Sequence, residues 1–392
     1  MINKSSKNLY ISKAAQKLSG SPALQLLTKA KKLESYGKKI YHFEIGDPDF
    51  NTPARISMAA IRSIKNGETH YAPPLGLKEL REAIRLETKG SLGFKPDLEQ
   101  VAVAPAKSFI YFVARCVLNP GEEVIVPDPG FSSYYAVFDF MGVRCIRVPL
   151  LERNNFRMSP DDVAKKITPK TRLIIINSPH NPTGSAMTKE EIKKMAQIAL
   201  KNNIYLLSDE IYDKIIYDRP HYSPAIYDEC GKNIILLNSF SKTYAMTGWR
   251  LGWIVAPENI IKKISFLIES ILSSTPSFIQ RAGIEALEGN QSFLKENLAQ
   301  YRKRRDIMVK LLNQIPGIKC LKPEGAFYVF PNIKATGMTS KQFSDFALSK
   351  AGVIVVPGTD FGINGEGYVR MTFTLSMKDI KEGLKKLKLT LS

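Results

Sequence analysis

From about residue 101 the chain alternates short β-branched apolar runs with stretches of helical period, and no other feature constrains its fold as strongly. Val101-Ala-Val103, Glu123-Val-Ile-Val126, residues 144–149, Leu173-Ile-Ile-Ile-Asn177, Ile204-Tyr-Leu-Leu-Ser208 and Ile234-Ile-Leu-Leu237 read as strands. The run at 173–177 is nearly all apolar, as expected of a strand buried on both faces. A helix is expected over 107–118. Another opens at Thr188, where Thr188 and Glu191 fit a capping box and Ile192, Met195, Ala196, Ala199 and Leu200 share one face. Strands alternating with helices predict an α/β fold with a mostly parallel, mixed central sheet flanked by helices, its strand ends gathered on one side.

Three consecutive strand ends carry polar groups: Asn181, then Asp209 with Tyr212, then Ser239 with Lys242. One polar residue after a strand is an ordinary turn residue; three in succession predict a pocket, and open α/β sheets place ligands there. The stretch Asn238-Ser-Phe-Ser-Lys-Thr-Tyr-Ala-Met-Thr-Gly-Trp-Arg-Leu-Gly-Trp253 sets an amine, Lys242, beside the hydroxyls of Ser239 and Ser241, with Arg250 beyond the Thr247-Gly248 turn. That combination suits a Schiff-base lysine next to a phosphate cradle.

The remainder is organised around this centre. Residues 1–33 read as an arm and a helix broken at Ser19-Gly-Ser-Pro22, and 41–45 as a short strand ending in the dense turn Gly46-Asp-Pro-Asp-Phe-Asn-Thr-Pro53. Residues 77–87 are expected to be helical. After Trp253, residues 254–271 contain a long, largely helical stretch and 296–312 read as a charged helix. Strands are expected over 325–330, 353–356 and 368–373, and a last helix over 378–389. This tail reads as an α+β unit packing with the N-terminal segment.

Composition excludes several functions. Cys116, Cys145, Cys230 and Cys320 lie far apart and the four histidines are scattered, so neither a metal site nor a disulfide scaffold is expected. No apolar run is long enough to span a bilayer and no targeting segment is visible, which makes cytoplasmic residence the expectation. The formal charge of +19 is spread as lysines alternating with glutamates along helices, for example Lys189, Lys193, Lys194 and Lys201. It reads as a solvated surface, and no nucleic-acid or membrane partner is expected.

Several motifs occur together in a fixed order: Gly46-Asp-Pro-Asp-Phe50, His70-Tyr-Ala-Pro-Pro-Leu-Gly76, Asn119-Pro-Gly-Glu-Glu-Val-Ile125, Asn177-Ser-Pro-His-Asn-Pro-Thr-Gly184, Ser208-Asp-Glu-Ile-Tyr212, Ser239-Phe-Ser-Lys242, Gly248-Trp-Arg250, Gly325-Ala-Phe-Tyr328, Val356-Pro-Gly358 and Tyr368-Val-Arg370. From about residue 20 to its end the chain thereby resembles the class I/II, fold-type I aminotransferases that use pyridoxal 5′-phosphate, nearest the aspartate aminotransferase-like subgroup. The resemblance implies a large cofactor-binding domain over 48–289 and a small discontinuous domain from 1–47 and 290–392.

Pyridoxal phosphate needs an amine for its aldehyde, an anion at its ring nitrogen, donors at its ring oxygen and a basic cradle for its phosphate. Lys242 and Asp209 meet the first two, Tyr212 and Asn181 the third, and Ser239, Ser241 and Arg250 the fourth. The helix opening at Ala106-Lys107 adds backbone N–H groups, and Phe131 is a candidate to stack on the ring. The resemblance further implies a homodimer with shared active sites, Tyr71 reaching the partner's cofactor phosphate. It implies Arg370 on the substrate α-carboxylate through parallel hydrogen bonds, and Gly46 permitting close backbone approach to the substrate. It leans, through Lys107, towards aspartate or glutamate as amino donor. The reaction implied is a ping-pong transfer between an L-amino acid and a 2-oxo acid. A β-lyase or decarboxylase on the same scaffold remains the alternative, and a basic nucleic-acid-binding protein a more distant one.

Overall fold

A computed structural model describes residues 10–16 and 22–391. The expected break at Ser19, Gly20 and Ser21 lies outside the described residues. Among those described are strands β1 (Tyr41–His42), β2 (Val101–Ala104), β3 (Glu123–Asp128), β4 (Arg144–Pro149), β5 (Thr171–Asn177), β6 (Tyr205–Asp209), β7 (Ile234–Ser239), β8 (Gly252–Val255), β9 (Tyr328–Val329), β10 (Val353–Ile354), β11 (Val356–Pro357) and β12 (Val369–Thr372). A seven-stranded sheet runs in the order β2-β8-β7-β6-β5-β3-β4. Its junctions are parallel except where β8 runs against β2 and β7.

This sheet is buried on both faces because its strands are apolar at consecutive positions, and successive side chains point to opposite sides. Val101, Val103, Ile174, Ile176, Leu206, Ile234 and Leu236 pack into one cluster with Ile192, Met195 and Ala199 of the helix Lys189–Asn202. Ala102, Ala104, Leu173, Ile175, Leu207, Ile235 and Leu237 pack into another with the helices Ala106–Val117 and Glu258–Leu272. The expected capping box closes the first helix: Thr188 Oγ1 accepts from the Glu191 N–H at 3.1 Å, and Glu191 Oε2 accepts from the Thr188 N–H at 2.8 Å.

A separate apolar cluster joins Phe43, Tyr328, Val353, Val369 and Met371 to the helices Ser292–Leu312 and Met377–Leu391. Its strands form an antiparallel β11-β12-β9 sheet and a parallel β1-β10 pair.

Three expectations are corrected. The helical stretch within 254–271 starts later than the span: Ile254 and Val255 complete β8 by pairing with Leu237 and Leu236, and the helix begins at Glu258 after Pro257. The run 353–356 divides between two sheets, β10 and β11. The strand expected over 325–330 contracts to β9, because Ala326 takes a φ of 52° that breaks the extended run.

Gly252 lies where β8 crosses the start of the helix Ala106–Val117. A Cβ there would stand 2.7 Å from Ala106 Cβ and 2.9 Å from the Asn238 carbonyl oxygen. Gly252→Ala is therefore expected to lower the free energy of unfolding by about 1–3 kcal/mol through overpacking, measured by urea denaturation. It should also weaken anion binding at that helix start, since the helix must lift to admit the methyl group.

Candidate active site

The carboxyl ends of β5, β6 and β7 lie side by side, with Asn177 opposite Asp209 and Asp209 opposite Leu237. Each hands its chain to a polar turn. Beyond β7 the backbone coils at once into the short helix Phe240–Thr243, whose first turn is held by Ser239 Oγ accepting from the Ser241 N–H at 3.1 Å. Lys242 is thereby brought to the sheet end. Beyond β5, Asn177 Oδ1 accepts from the Asn181 N–H at 2.8 Å and fixes the loop carrying that residue.

These turns surround a cavity of about 290 Å³. Every site residue expected from the sequence lines it except Tyr71: Gly46, Ala106, Lys107, Phe131, Asn181, Asp209, Tyr212, Ser239, Ser241, Lys242, Arg250 and Arg370. Tyr71 is 88% exposed on the surface of the chain.

The cavity is electrostatically unbalanced. Its charged lining comprises Lys107, Lys242, Arg250 and Arg370 against the single carboxylate of Asp209, and among the described residues none of the five takes part in an ion pair. Lys242 Nζ donates to the Gly46 carbonyl at 2.8 Å. Burial pushes its pKa down to about 8; Asp47 opposes the shift, while Arg370, Arg250 and Lys107 add to it. Burial likewise lowers Lys107, with Arg250 contributing. Asp209 accepts from Tyr134 Oη at 2.5 Å and from the Ile211 N–H at 3.4 Å. Burial nevertheless raises its carboxyl to about 6.

Arg370 projects from β12 between the rings of Tyr328 and Phe361, 4.6 and 4.8 Å from their centroids. Its Nη1 donates to Asn181 Oδ1 at 3.2 Å and its Nη2 to the Glu44 carbonyl. Its Nε is buried without a partner. Tyr212 Oη lies 2.9 Å from Tyr328 Oη. At the mouth, Arg250 adopts a φ of 58° and donates to the Thr247 carbonyl at 2.6 Å. Gly46 is in close approach, but to Tyr328: a Cβ would collide with that hydroxyl.

Tyr134, Tyr328 and Asn177 belong to the site yet were not singled out from the sequence. Tyr134 follows Phe131 by three residues, the spacing that brings side chains onto one helix face, and this offset was the available signal. Tyr328 closes the motif Gly325-Ala-Phe-Tyr328. Asn177 Nδ2 donates to the Asp209 carbonyl at 2.9 Å, a contact between strands that only the sheet order reveals.

Comparison with known proteins agrees with this geometry. Residues 38–387 match the family described as aminotransferase class I and II. The chain is 42% identical over 384 residues to an aspartate aminotransferase of Pyrococcus horikoshii, covering 97% of each chain. It is 38% identical to the arginine–pyruvate transaminase AruH of Pseudomonas aeruginosa, covering 90% of each. The solved structure of aspartate aminotransferase from Thermus thermophilus with maleate superposes with a TM-score of 0.94 at 32% identity, covering 97% of this chain and 100% of that one. The chain belongs to the class I and II aminotransferases and is a pyridoxal-phosphate-dependent enzyme.

Proposed function

We propose that this aminotransferase moves the amino group of an acidic L-amino acid, aspartate or glutamate, to a 2-oxo acid by a ping-pong sequence, and that Lys242 is its proton carrier. The observation that carries the reading is the cavity's set of charged groups left without ion pairs by the chain itself.

The residues present fit the cofactor. Asp209, buried and without a cation, matches a protonated ring nitrogen. Arg250, the Ser241 hydroxyl and the backbone N–H groups at Ala106 and Lys107 match a phosphate. Ser239 contributes less directly, since its hydroxyl donates to the Leu251 carbonyl at 3.2 Å. Phe131 offers a ring face, and Tyr212 and Asn181 offer donors to the ring oxygen. Bound there, pyridoxal phosphate supplies an aldehyde carbon and an electron-withdrawing ring.

The chain's own residues then divide the work. Arg370, oriented by Asn181 and Glu44, grips the α-carboxylate of the amino acid. Lys242 Nζ, whose surroundings lower its pKa to about 8 and so loosen its hold on a proton, would take the proton from the substrate Cα and deliver it to the aldehyde carbon of the bound cofactor. Tyr328 and Phe361 exclude water around the guanidinium. Lys107 supports acidic substrates, since it lines the cavity with no carboxylate partner of its own. The names of the relatives favour the same donor, though arginine appears among them.

The wider reading includes a homodimer with shared active sites, supported by the exposed Tyr71 and by Met58, Ile61 and Ile64 exposed along the helix Ala54–Lys65. It includes domains over 48–289 and over 1–47 with 290–392, supported by the separate sheets and apolar clusters. It includes cytoplasmic residence, supported by four free cysteines. No helix among the described residues is long and apolar enough to cross a membrane.

Lys242→Ala is expected to lower turnover by roughly 10²–10⁴-fold or more, the scale of a positioned proton carrier; near-normal turnover would remove the assignment. Capture of pyridoxal phosphate by the apo protein should quicken through a midpoint near pH 8, where Lys242 loses its proton, and level off above it. A rise continuing towards the ordinary lysine range would contradict the burial argument. Lys107→Met should cut kcat/KM for aspartate about tenfold while leaving alanine within about twofold; equal losses on both would overturn the acidic preference.

A further inference from the structure

A second cavity, of about 280 Å³, backs onto the same wall as the first. Successive residues of that wall divide between the two. Asp209, Ser239 and Lys242 line the first, whereas Glu210, Asn238 and Thr243 line the second. Alternation at the end of β7 puts Asn238 and Ser239 on opposite sides of the wall.

Two ion pairs inside it are self-sufficient. Glu210 accepts from Ser208 Oγ at 2.7 Å and Ser223 Oγ at 2.6 Å, and its other oxygen lies 2.6 Å from His221 Nε2. Lys214 Nζ lies 2.7 Å from Glu87 Oε1. Three groups remain. Asp213 accepts from the Lys214 N–H at 2.8 Å and from the Asn238 side chain; burial raises its pKa against the charges of Lys214 and His221, and it forms no ion pair among the described residues. Thr243 is only 7% exposed, and its Oγ1 has no hydrogen-bond partner. His221 Nδ1 is buried and also without one. Burial works against a charged His221 ring, but the Glu210 carboxylate outweighs it and raises the pKa; in its charged form the ring offers Nδ1–H as a donor.

A carboxylate outside any ion pair, a ring nitrogen lacking a partner and a hydroxyl lacking one form a complementary set. A lone metal ion does not answer it, because Lys214 and His221 already place positive charge in the cavity. We propose that this second cavity binds a free α-amino acid as its zwitterion, the ammonium directed to Asp213, the carboxylate to His221 Nδ1, and Thr243 Oγ1 completing the contacts. Its occupant would touch the residue next to Lys242 and face the chain segment next to Asp209, so binding there bears directly on the catalytic wall. The proposal does not depend on which amino acid the first cavity takes.

Calorimetric titration of the borohydride-reduced holoenzyme with each common amino acid tests this, because reduction keeps the first cavity filled by cofactor. At least one amino acid should bind saturably, one per chain. Thr243→Val, which removes a hydroxyl at nearly constant shape, and Asp213→Asn should each weaken that binding about tenfold or more. Arg370→Gln should leave it unchanged. If Asp213→Asn does not fold, Thr243→Val decides alone. Absence of saturable binding for every amino acid, indifference to the substitutions in the second cavity, or loss of binding in Arg370→Gln would each overturn the proposal.

Discussion

The amine of Lys242 is held by one carbonyl oxygen, that of Gly46, in a pocket that already contains three other cationic side chains. Protonated, it would meet burial and like charge together; neutral, it is a nucleophile and a base. The surroundings shift the balance towards the second state by lowering its pKa to about 8. Asp209 is the counterpart: a carboxylate deep in the sheet, supported by Tyr134 and raised to about 6 by burial, yet without a cation from the chain. Charges that would pair in an ordinary interior stand unpaired and directed at one cavity. A chain gains nothing in stability by this arrangement. Perturbed groups of opposite sign converging on a cleft mark a functional site instead.

The fold makes the arrangement possible with little strain because a mostly parallel sheet ends several strands at one rim. Those strands, apolar on both faces, are anchored by two core clusters, so their polar ends have fixed positions. Two glycines permit close approaches around the site. Gly46 sits against Tyr328, and Gly252 lets β8 lie beneath the helix that begins at Ala106. Arg370 arrives from the other sheet system, stacked between aromatic rings, and joins β12 to the rim of the large sheet through Asn181.

Much of this was legible in the residues. The strands of the central sheet other than β4 and β8 announce themselves as apolar runs, and twelve of the thirteen expected site residues line one cavity. What escaped did so for local reasons. β8 is a four-residue strand entered from a turn and left by a proline, so it merges with the helix that follows. The helices Ala54–Lys65, Ser132–Met141 and Ser277–Glu288 were not assigned. The second of these is aromatic-rich, so its apolar face does not stand out by period. Tyr134 lies on it, which is why the hydrogen bond to Asp209 could be seen only in three dimensions. Tyr71 is the remaining site residue, and a single chain leaves it at the surface.

The central claim is that the amine at position 242 is the one bonded to the cofactor. Borohydride reduction of the purified, cofactor-loaded protein, followed by protease digestion and mass spectrometry, reads this directly. The account predicts a pyridoxyl phosphate mass on the peptide containing Lys242 and on no other. Label on Lys107, or spread over surface lysines with Lys242 unmodified, would contradict it.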